Sequence, residues 1–308
     1  MELTLLTEEQ IFGENKSKIF EKYGTSAAIT DFAILLDGYF SDEYHCNNSD
    51  SLEDRTGCYW TSSVNKDNYA CVVDKSGNRQ FYFFRDHCIG ARSTLPYSLI
   101  SRISMNKVRE FEEIFEVEYG EYPQKAVSRI LQEELENAYQ NKQTSIRKTG
   151  KAYATDPKRW NEHDKKFSVQ EYEEFEYKGK RYIRIKVNSY YEVRELKLSN
   201  GERYKNGDYV WIEVSPIKWL VDIEKDIVLS ERILFAGIQF DDKEEYKGNF
   251  KETFMYKYLN TIFIKDIQAQ PKEIEISVIE ENSERELELE KLENDKQKIL
   301  SLRKSLGK

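Results

Sequence analysis

Four cysteines, three histidines and an acidic run are the residues of this 308-residue chain with the means for metal binding, redox work or nucleophilic catalysis. The cysteines, Cys46, Cys58, Cys71 and Cys88, stand 12, 13 and 17 residues apart. None forms Cys-x-x-Cys, so zinc-ribbon and dithiol redox motifs are excluded. Cys71, in Tyr69-Ala70-Cys71-Val72-Val73, reads as a small buried hydrophobe. Cys88 follows His87, a pairing that lowers a thiol pKa when the two side chains meet, which adjacency alone does not ensure. His45, His87 and His163 are scattered, and Asp241-Asp242 with Glu244-Glu245 reads as a solvated loop. There is no Gly-rich phosphate loop, no Gly-x-Ser-x-Gly and no His-Glu-x-x-His. These residues predict neither an enzyme nor a metal or cofactor site.

Charge narrows the partners. Lys and Arg number 47 against 56 Asp and Glu, a net of −9. Residues 273–293 hold nine Glu against Arg285 and Lys291, a net of −7, which leaves −2 for the rest. Direct nucleic-acid binding needs clustered Lys and Arg and is disfavoured. An acidic segment suits a basic groove on another protein. No apolar run approaches the ~18 residues of a membrane span. The first residues lack a basic region before an apolar run, so a cytoplasmic protein with four reduced thiols is expected. With 21 Tyr and 16 Phe, a core of large side chains is available and wholesale disorder is excluded.

The elements that would position these residues follow from periodicity. Thr7 with Gln10 is a capping box ahead of Ile11, Phe12, Ile19 and Phe20, a short amphipathic helix within residues 1–23. Residues 27–36 are small and apolar, and helix and buried strand both fit them. Residues 41–57 read as a polar loop. Strands are predicted at 58–63, 69–73 and 79–84, the last two as a hairpin around Asp74-Lys75-Ser76-Gly77-Asn78. Val108, Phe111, Ile114 and Phe115 predict a helix over 101–119, ended by Gly120-Glu121-Tyr122-Pro123-Gln124. A second helix over 126–139 carries Val127, Ile130, Leu131, Leu135 and Ala138 on one face.

After a basic, polar connector at 141–151 comes a hairpin of 171–177 and 180–187 around Lys178-Gly179. Ile183, Ile185 and Val187 alternate with Tyr182, Arg184 and Lys186, predicting one buried and one solvated face. Asn200-Gly201 and Asn206-Gly207 mark turns. Strands follow at 209–214, at 217–221 beyond the interrupting Pro216, and at 226–229. A helix over 250–263 holds Phe254, Tyr258 and Leu259 in register. Strands and helices do not repeat as βαβ units, so the class is α+β. Leu292, Ile299 and Leu306, seven apart, with Leu289 and Leu302 beside them, give a C-terminal helix over 284–306. It either packs on its own domain and solvent or meets a partner helix, and the seam allows both.

Two groups of motifs carry a resemblance. One is Gly57-Cys58-Tyr59-Trp60-Thr61-Ser62-Ser63, Ala70-Cys71-Val72-Val73, Gly77-Asn78 and Gly90-Ala91-Arg92-Ser93-Thr94-Leu95-Pro96. It resembles the closing half of C-type-lectin-fold domains of the formylglycine-generating-enzyme (sulfatase-modifying-factor) kind, closest to domains common in Firmicutes and their prophages. Ser93 departs from it, since a Pro is usual there. The other is Tyr119-Gly120-Glu121-Tyr122-Pro123-Gln124, Pro216-Ile217-Lys218-Trp219-Leu220-Val221, Leu229-Ser230-Glu231-Arg232-Ile233-Leu234 and Lys257-Tyr258-Leu259-Asn260-Thr261-Ile262-Phe263. It resembles the opening half. The halves stand in reversed order, which the resemblance reads as a permuted or doubled C-type-lectin-like fold. Adjacent chain ends allow such an order. The implied organisation is an N-terminal helix (1–23), a closing-half block (24–100), a helical connector (101–140), an opening-half block with hairpins (141–272) and an acidic C-terminal helix (273–308). The two halves are expected to pack as one body. Trp60 and Trp219 become core anchors, Gly90 a close-approach site, and Arg92 a tie to loop carbonyls or a carboxylate.

The resemblance raises three activities. Calcium-dependent sugar binding would need a Glu-Pro-Asn or Gln-Pro-Asp triplet, and only Trp160-Asn161-Glu162-His163-Asp164 comes near its Trp-Asn-Asp motif. Oxidase chemistry needs a close cysteine pair, for which Cys71 and Cys88 are the candidates. Recognition by loops on a rigid sheet needs neither. The leading expectation is a non-enzymatic protein-binding module of phage or mobile-element origin. The alternatives are an anti-CRISPR-like inhibitor occluding a host defence nuclease, and a formylglycine-generating-type oxidase. Tyr39, Tyr44, Tyr69, Tyr82 and Phe84 are the expected aromatic contacts, with Phe81 and Phe83 as the core face of their strand. Glu284, Glu288, Leu292 and Ile299 are the expected contacts of the tail, with a protein partner or with a second copy through 284–306.

Overall fold

Thr7 starts the first helix as its capping box predicts. Its hydroxyl accepts from Gln10 N at 3.2 Å and the Gln10 side chain accepts from Thr7 N at 2.8 Å. The computed structural model describes residues 2–36, 55–84, 89–96, 106–110, 114–141, 145–155, 167–187, 195–241 and 248–268. Gly13 stops α1 (Glu8–Phe12), and Ser17 caps α2 (Lys18–Tyr23), so the single expected helix is two. Residues 27–36 resolve into both open readings in turn: strand β1 (Ala27–Ala28), then the wholly buried helix α3 (Asp31–Leu35), capped by Thr30. β2 (Thr56–Gly57) pairs with β1. The predicted β block follows as β3 (Tyr59–Val64), β4 (Ala70–Val73) and β5 (Arg79–Tyr82), an antiparallel meander. β6 (Gly90–Ala91) runs parallel to β3, giving the order β5-β4-β3-β6. β7 (Thr94–Leu95) leaves for a larger sheet.

Where a helix is expected over 101–119, the described residues 106–110 and 114–119 are strand instead. β8 (Asn106–Glu110) and β9 (Ile114–Ala126) are antiparallel strands. The spacing of Val108, Phe111, Ile114 and Phe115 mimics a helix. Along β9, however, Phe115, Val117 and Tyr119 alternate with Glu116 and Glu118, and pairing partners on both sides decide for strand. Nor does Gly120 end the element. It bends the strand at φ +68°, where an added Cβ would lie 2.8 Å from the Ile267 carbonyl oxygen.

α4 (Arg129–Gln140) confirms the second predicted helix, with Leu135 and Ala138 buried but Ile130 80% exposed rather than inward. Residues 145–151 are not connector but the start of β10 (Ser145–Thr155), which pairs with β11 (Phe167–Tyr177). β11 and β12 (Lys180–Lys186) form the predicted hairpin, with positive φ at Lys178 and Gly179. Ile183, Ile185 and Val187 are buried as expected. The opposite face is solvated only at its end: α4 covers Tyr182, which is buried, Arg184 is partly covered, and Lys186 is exposed. β13 (Leu196–Lys197) and β14 (Arg203–Tyr204) pair around the Asn200-Gly201 turn.

β15 (Tyr209–Asp222) is one strand that runs through Pro216. Proline lacks the N–H a central strand needs. The register against β9 shifts between Pro216 and Lys218, and Gln124 Nε2 donates to the carbonyls of Ser215 (3.0 Å) and Pro216 (2.8 Å). β15 pairs with β12, β9 and β16 (Ile227–Ser230), and β16 pairs with β7. Among the described residues the large sheet has eight strands, β10-β11-β12-β15-β16-β7 with β8 and β9 on the far side of β15. The helix expected over 250–263 is a 3-10 turn (Phe250–Glu252), α5 (Phe254–Tyr258), a π segment (Leu259–Phe263) and α6 (Ile264–Gln268).

The class is therefore mixed α+β, mostly sheet. Residues Met1–Gln270 form one compact unit, and strands from both resembling blocks meet in the large sheet. Pro271–Lys308, with the expected C-terminal helix, lies outside the described residues. Trp60 and Trp219 are fully buried anchors, their indoles donating to Ile238 O (3.2 Å) and Tyr119 O (2.9 Å). Buried carboxylates tie elements together. Asp222 accepts from Ser17 Oγ (2.6 Å), Lys18 N (3.1 Å) and Lys225 N (3.0 Å). Asp31 accepts from Ala126 N (2.8 Å), Ser199 N (2.9 Å) and the Ser199 hydroxyl, with Arg55 3.9 Å away.

Gly90 sits where the two sheets touch. A Cβ there would lie 2.2 Å from Ile233 Cγ2, 3.1 Å from Phe235 O and 3.3 Å from Cys58 O. With backbone on two sides the strain has no outlet, so Gly90→Ala should lower stability by about 1–3 kcal/mol. Denaturant melts of the two proteins check this, and equal midpoints would mean the sheets separate readily here.

Candidate binding surface

The chemistry-bearing residues come first. Cys58 and Cys71 carry free, buried thiols, and burial pushes both up to about 11. They are protonated at neutral pH, the inert kind of cysteine. Cys46, Cys88 and the three histidines lie outside the described residues, as does the Trp160 motif. Asp241 is buried rather than solvated and accepts from Phe254 N at 3.3 Å. Among the described residues, no group of three or more His, Cys, Asp or Glu could hold a metal ion. No described helix is long and apolar enough to cross a membrane. Arg92 is a structural tie: its Nε donates to Ser230 O at 3.0 Å and its guanidinium lies 5.4 Å from the Tyr59 ring.

The β3–β4–β5 meander is built by short-range polar chemistry. Asn65 Oδ1 accepts from Asp67 N (3.0 Å) and Tyr69 N (2.9 Å) and closes the first turn. Asp74 Oδ1 accepts from Ser76 N and Asn78 N, both at 2.8 Å, and closes the second. Gly77 takes φ +83°, and Thr25 Oγ1 donates to its carbonyl at 2.6 Å, pinning the loop to the body. The Glu8 carboxylate on α1 pairs with Arg79 on β5. β5 is the outer strand of its sheet among the described residues.

On this edge the expected strand parity is inverted. Phe81 and Phe83, expected in the core, are 40% and 63% exposed. Phe84, expected outward, is only 4% exposed. Its ring stacks 5.6 Å from Phe240, and its carbonyl accepts from Phe240 N at 2.8 Å. Tyr82 is half-buried against the main core. Alternation tells which residues share a face but not which face is covered. Here the side carrying Ala70 and Tyr82 turns to the core. Tyr69 is half-buried, its ring 4.8 Å from Phe83. The surface is thus Tyr69, Phe81 and Phe83. The four-aromatic run 81–84 is the sequence signal for it, and its facing is the reverse of the expected one. Tyr39, Tyr44, Glu284, Glu288, Leu292 and Ile299 lie outside the described residues.

A second aromatic and charged cluster docks α4. Glu136 accepts from Arg184 Nε and Nη2 (3.0 Å each), Trp211 Nε1 (3.0 Å) and Gln140 Nε2 (2.9 Å). The Arg184 guanidinium lies 3.5 Å from the centre of the Tyr209 ring and 4.4 Å from that of Tyr139. Burial works to raise the Glu136 pKa, but hydrogen bonds from Arg184, Gln140 and Trp211 outweigh it and bring it from 4.5 to about 2. No family model, no curated protein and no solved structure matches the chain.

Two outcomes follow. Iodoacetamide at pH 8 should leave Cys58 and Cys71 unmodified in the native protein and label both after unfolding. Peptide mass spectrometry reads this, and native labelling of Cys71 would reinstate it as a reactive thiol. A carboxyl whose folded pKa is depressed stabilises above its unfolded value, and that contribution is lost as pH falls through the folded value. Glu136 should therefore stabilise fully above about 4.5 and lose its effect toward about 2. Glu136→Gln should melt lower than the wild type at pH 7 and converge with it near pH 2. Parallel melting curves across that range would contradict the assignment.

Proposed function

We propose that this chain is a protein-binding module and that Tyr69, Phe81 and Phe83 form part of its contact surface. The observation carrying this reading is the pair of large aromatic side chains exposed two residues apart, Phe81 on the outer strand and Phe83 just past its end, with a third ring packed beside them. Single exposed apolar residues are ordinary, whereas clustered aromatics held by rigid turns are the usual anchors of an interface. The two described thiols, protonated and enclosed, contribute nothing that competes with this reading. The C-type-lectin resemblance enters the proposal in the same sense, as recognition from the loops and edge of a rigid sheet. The net −7 of residues 273–293 favours a basic partner, and an inhibitor that occludes a nucleic-acid-binding enzyme is the narrower form of the proposal.

The test is a double substitution, Phe81→Ser with Phe83→Ser. Both side chains are exposed, so the variant should melt close to the wild type. Its affinity for a captured partner should fall at least about tenfold, the loss of one interface anchor being worth roughly 2 kcal/mol. Titration calorimetry against that partner reads the change, and an unchanged Kd would remove this edge from the interface. Capture that weakens steeply with salt would favour the acidic-segment form of the reading.

A further inference from the structure

We propose that α4 is a lid that opens as a unit from the outer face of β11, β12 and β15 while the rest of the fold stays closed. The packing beneath α4 is separate from the main core. Val127, Leu135, Phe175, Tyr182 and Trp211 form their own buried cluster, with Leu131, Tyr139 and Tyr177 at its margin. The aromatic rings make a closed group: Phe175 to Trp211 at 5.3 Å, Tyr139 to Phe175 at 5.5 Å and Tyr139 to Trp211 at 6.1 Å. The strands under it meet the main core through their opposite face, where Ile183, Ile185, Val210 and Ile212 are buried. Lifting α4 therefore uncovers one small cluster and leaves the large one intact.

The helix contributes only Leu135 and Ala138 as fully covered side chains, and 12 residues are too few for a stable helix in water. It is held down instead by polar clips. Gln132 bonds Trp211 N and Tyr209 O, both at 3.0 Å. Glu134 bonds Tyr177 Oη (2.9 Å) and pairs with Lys178. Glu136 grips Arg184 and the Trp211 indole. At its entrance, Asn200 Nδ2 donates to Val127 O at 2.8 Å. A cover held by few apolar contacts and several polar clips is the pattern of a low-stability cooperative unit. Once open, it presents Phe175, Tyr182 and Trp211 as a new apolar surface. This inference is independent of the edge-strand reading.

Three tryptophans make the test internal. Trp60, Trp211 and Trp219 are equally enclosed, and each indole N–H is hydrogen-bonded, to Ile238 O, Glu136 Oε2 and Tyr119 O. Hydrogen exchange of the three assigned indole protons is followed by NMR on the full chain in low, sub-denaturing guanidinium. With the lid, Trp211 exchanges at least about tenfold faster than the other two, and mid-helix amides of α4 keep pace with it. Glu136→Gln then accelerates Trp211 by a further tenfold or so, the size expected for weakening a charge-assisted bond, with Trp60 and Trp219 unchanged. Equal exchange of all three indoles in the wild type overturns the proposal, since α4 would then open only when the whole fold does. Equal acceleration of all three by Glu136→Gln overturns it as well.

Discussion

The strand passing from the small sheet to the large one must satisfy partners on two sides at once, and the rest of the architecture depends on that. Gly90 N donates to Cys58 O at 2.9 Å on the small-sheet side, while Ala91 N donates to Phe235 O at 3.1 Å on the other. Ser93 O accepts from Ser230 N at 3.0 Å, and Thr94 exchanges two 2.9 Å bonds with Thr4. Arg92 reaches Ser230 O. At Gly90 the crossing leaves no room even for a Cβ, while two residues on Arg92 is buried and spends its guanidinium on the Ser230 carbonyl. The Ser93 hydroxyl is buried with no hydrogen-bond partner among the described residues, a cost of roughly 1–3 kcal/mol accepted for its size. Thr4 near the start of the chain and Ser230 and Phe235 more than 130 residues further on both bond to this strand, so the crossing joins segments distant in sequence.

The irregularities this arrangement creates are repaired by carboxamide side chains. A peptide group offers one N–H and one C=O, and Asn or Gln offers a C=O and an NH2 with two donors on a flexible arm. Gln124 donates to the Ser215 and Pro216 carbonyls beside the register shift. Gln132 continues the β9–β15 ladder after β9 has ended, bonding Trp211 N and Tyr209 O from a helix. Asn260 bonds both Leu3 N and Leu3 O at 2.8 Å, so the π segment grips the start of the chain as a strand would. Each leaves backbone groups paired where regular pairing stops, as burial requires. Asp31 and Asp222 do the same for backbone N–H groups, and there the carboxylate joins distant segments.

Local signals were legible in the sequence and facing was not. The Thr7 capping box, the Asp74 to Asn78 loop, the Lys178-Gly179 turn, and Trp60, Trp219 and Arg92 as anchors rest on chemistry within a few residues or on size. The helix expected over 101–119 gives way to strand at 106–110 and 114–119 because Val108, Phe111, Ile114 and Phe115 satisfy a helical spacing by coincidence, and pairing with β15 and between β8 and β9 overrides it. Phe81 and Phe84 were exchanged because parity does not name the covered face. Tyr182 was assigned to solvent because the helix that covers it comes from another part of the chain. In all three cases the deciding partner lies far away in sequence.

Rigidity is distributed in a way that bears on recognition. The β4–β5 edge that exposes Phe81 and Phe83 is anchored by two side-chain-closed turns, by Thr25 and by the Glu8–Arg79 pair. Its opposite side is locked by Phe84 against Phe240, which itself lies 5.7 Å from Trp60. Rings held in this way lose little freedom on meeting a partner, and preorganisation of this kind is converted directly into affinity. The α4 face is the reverse case. Its aromatic surface is already covered, and any partner that used it would first have to displace a helix clipped by Glu136 and Gln132. That displacement would subtract from the binding free energy, so under the proposed reading the open surface, with no helix to move, would be met first.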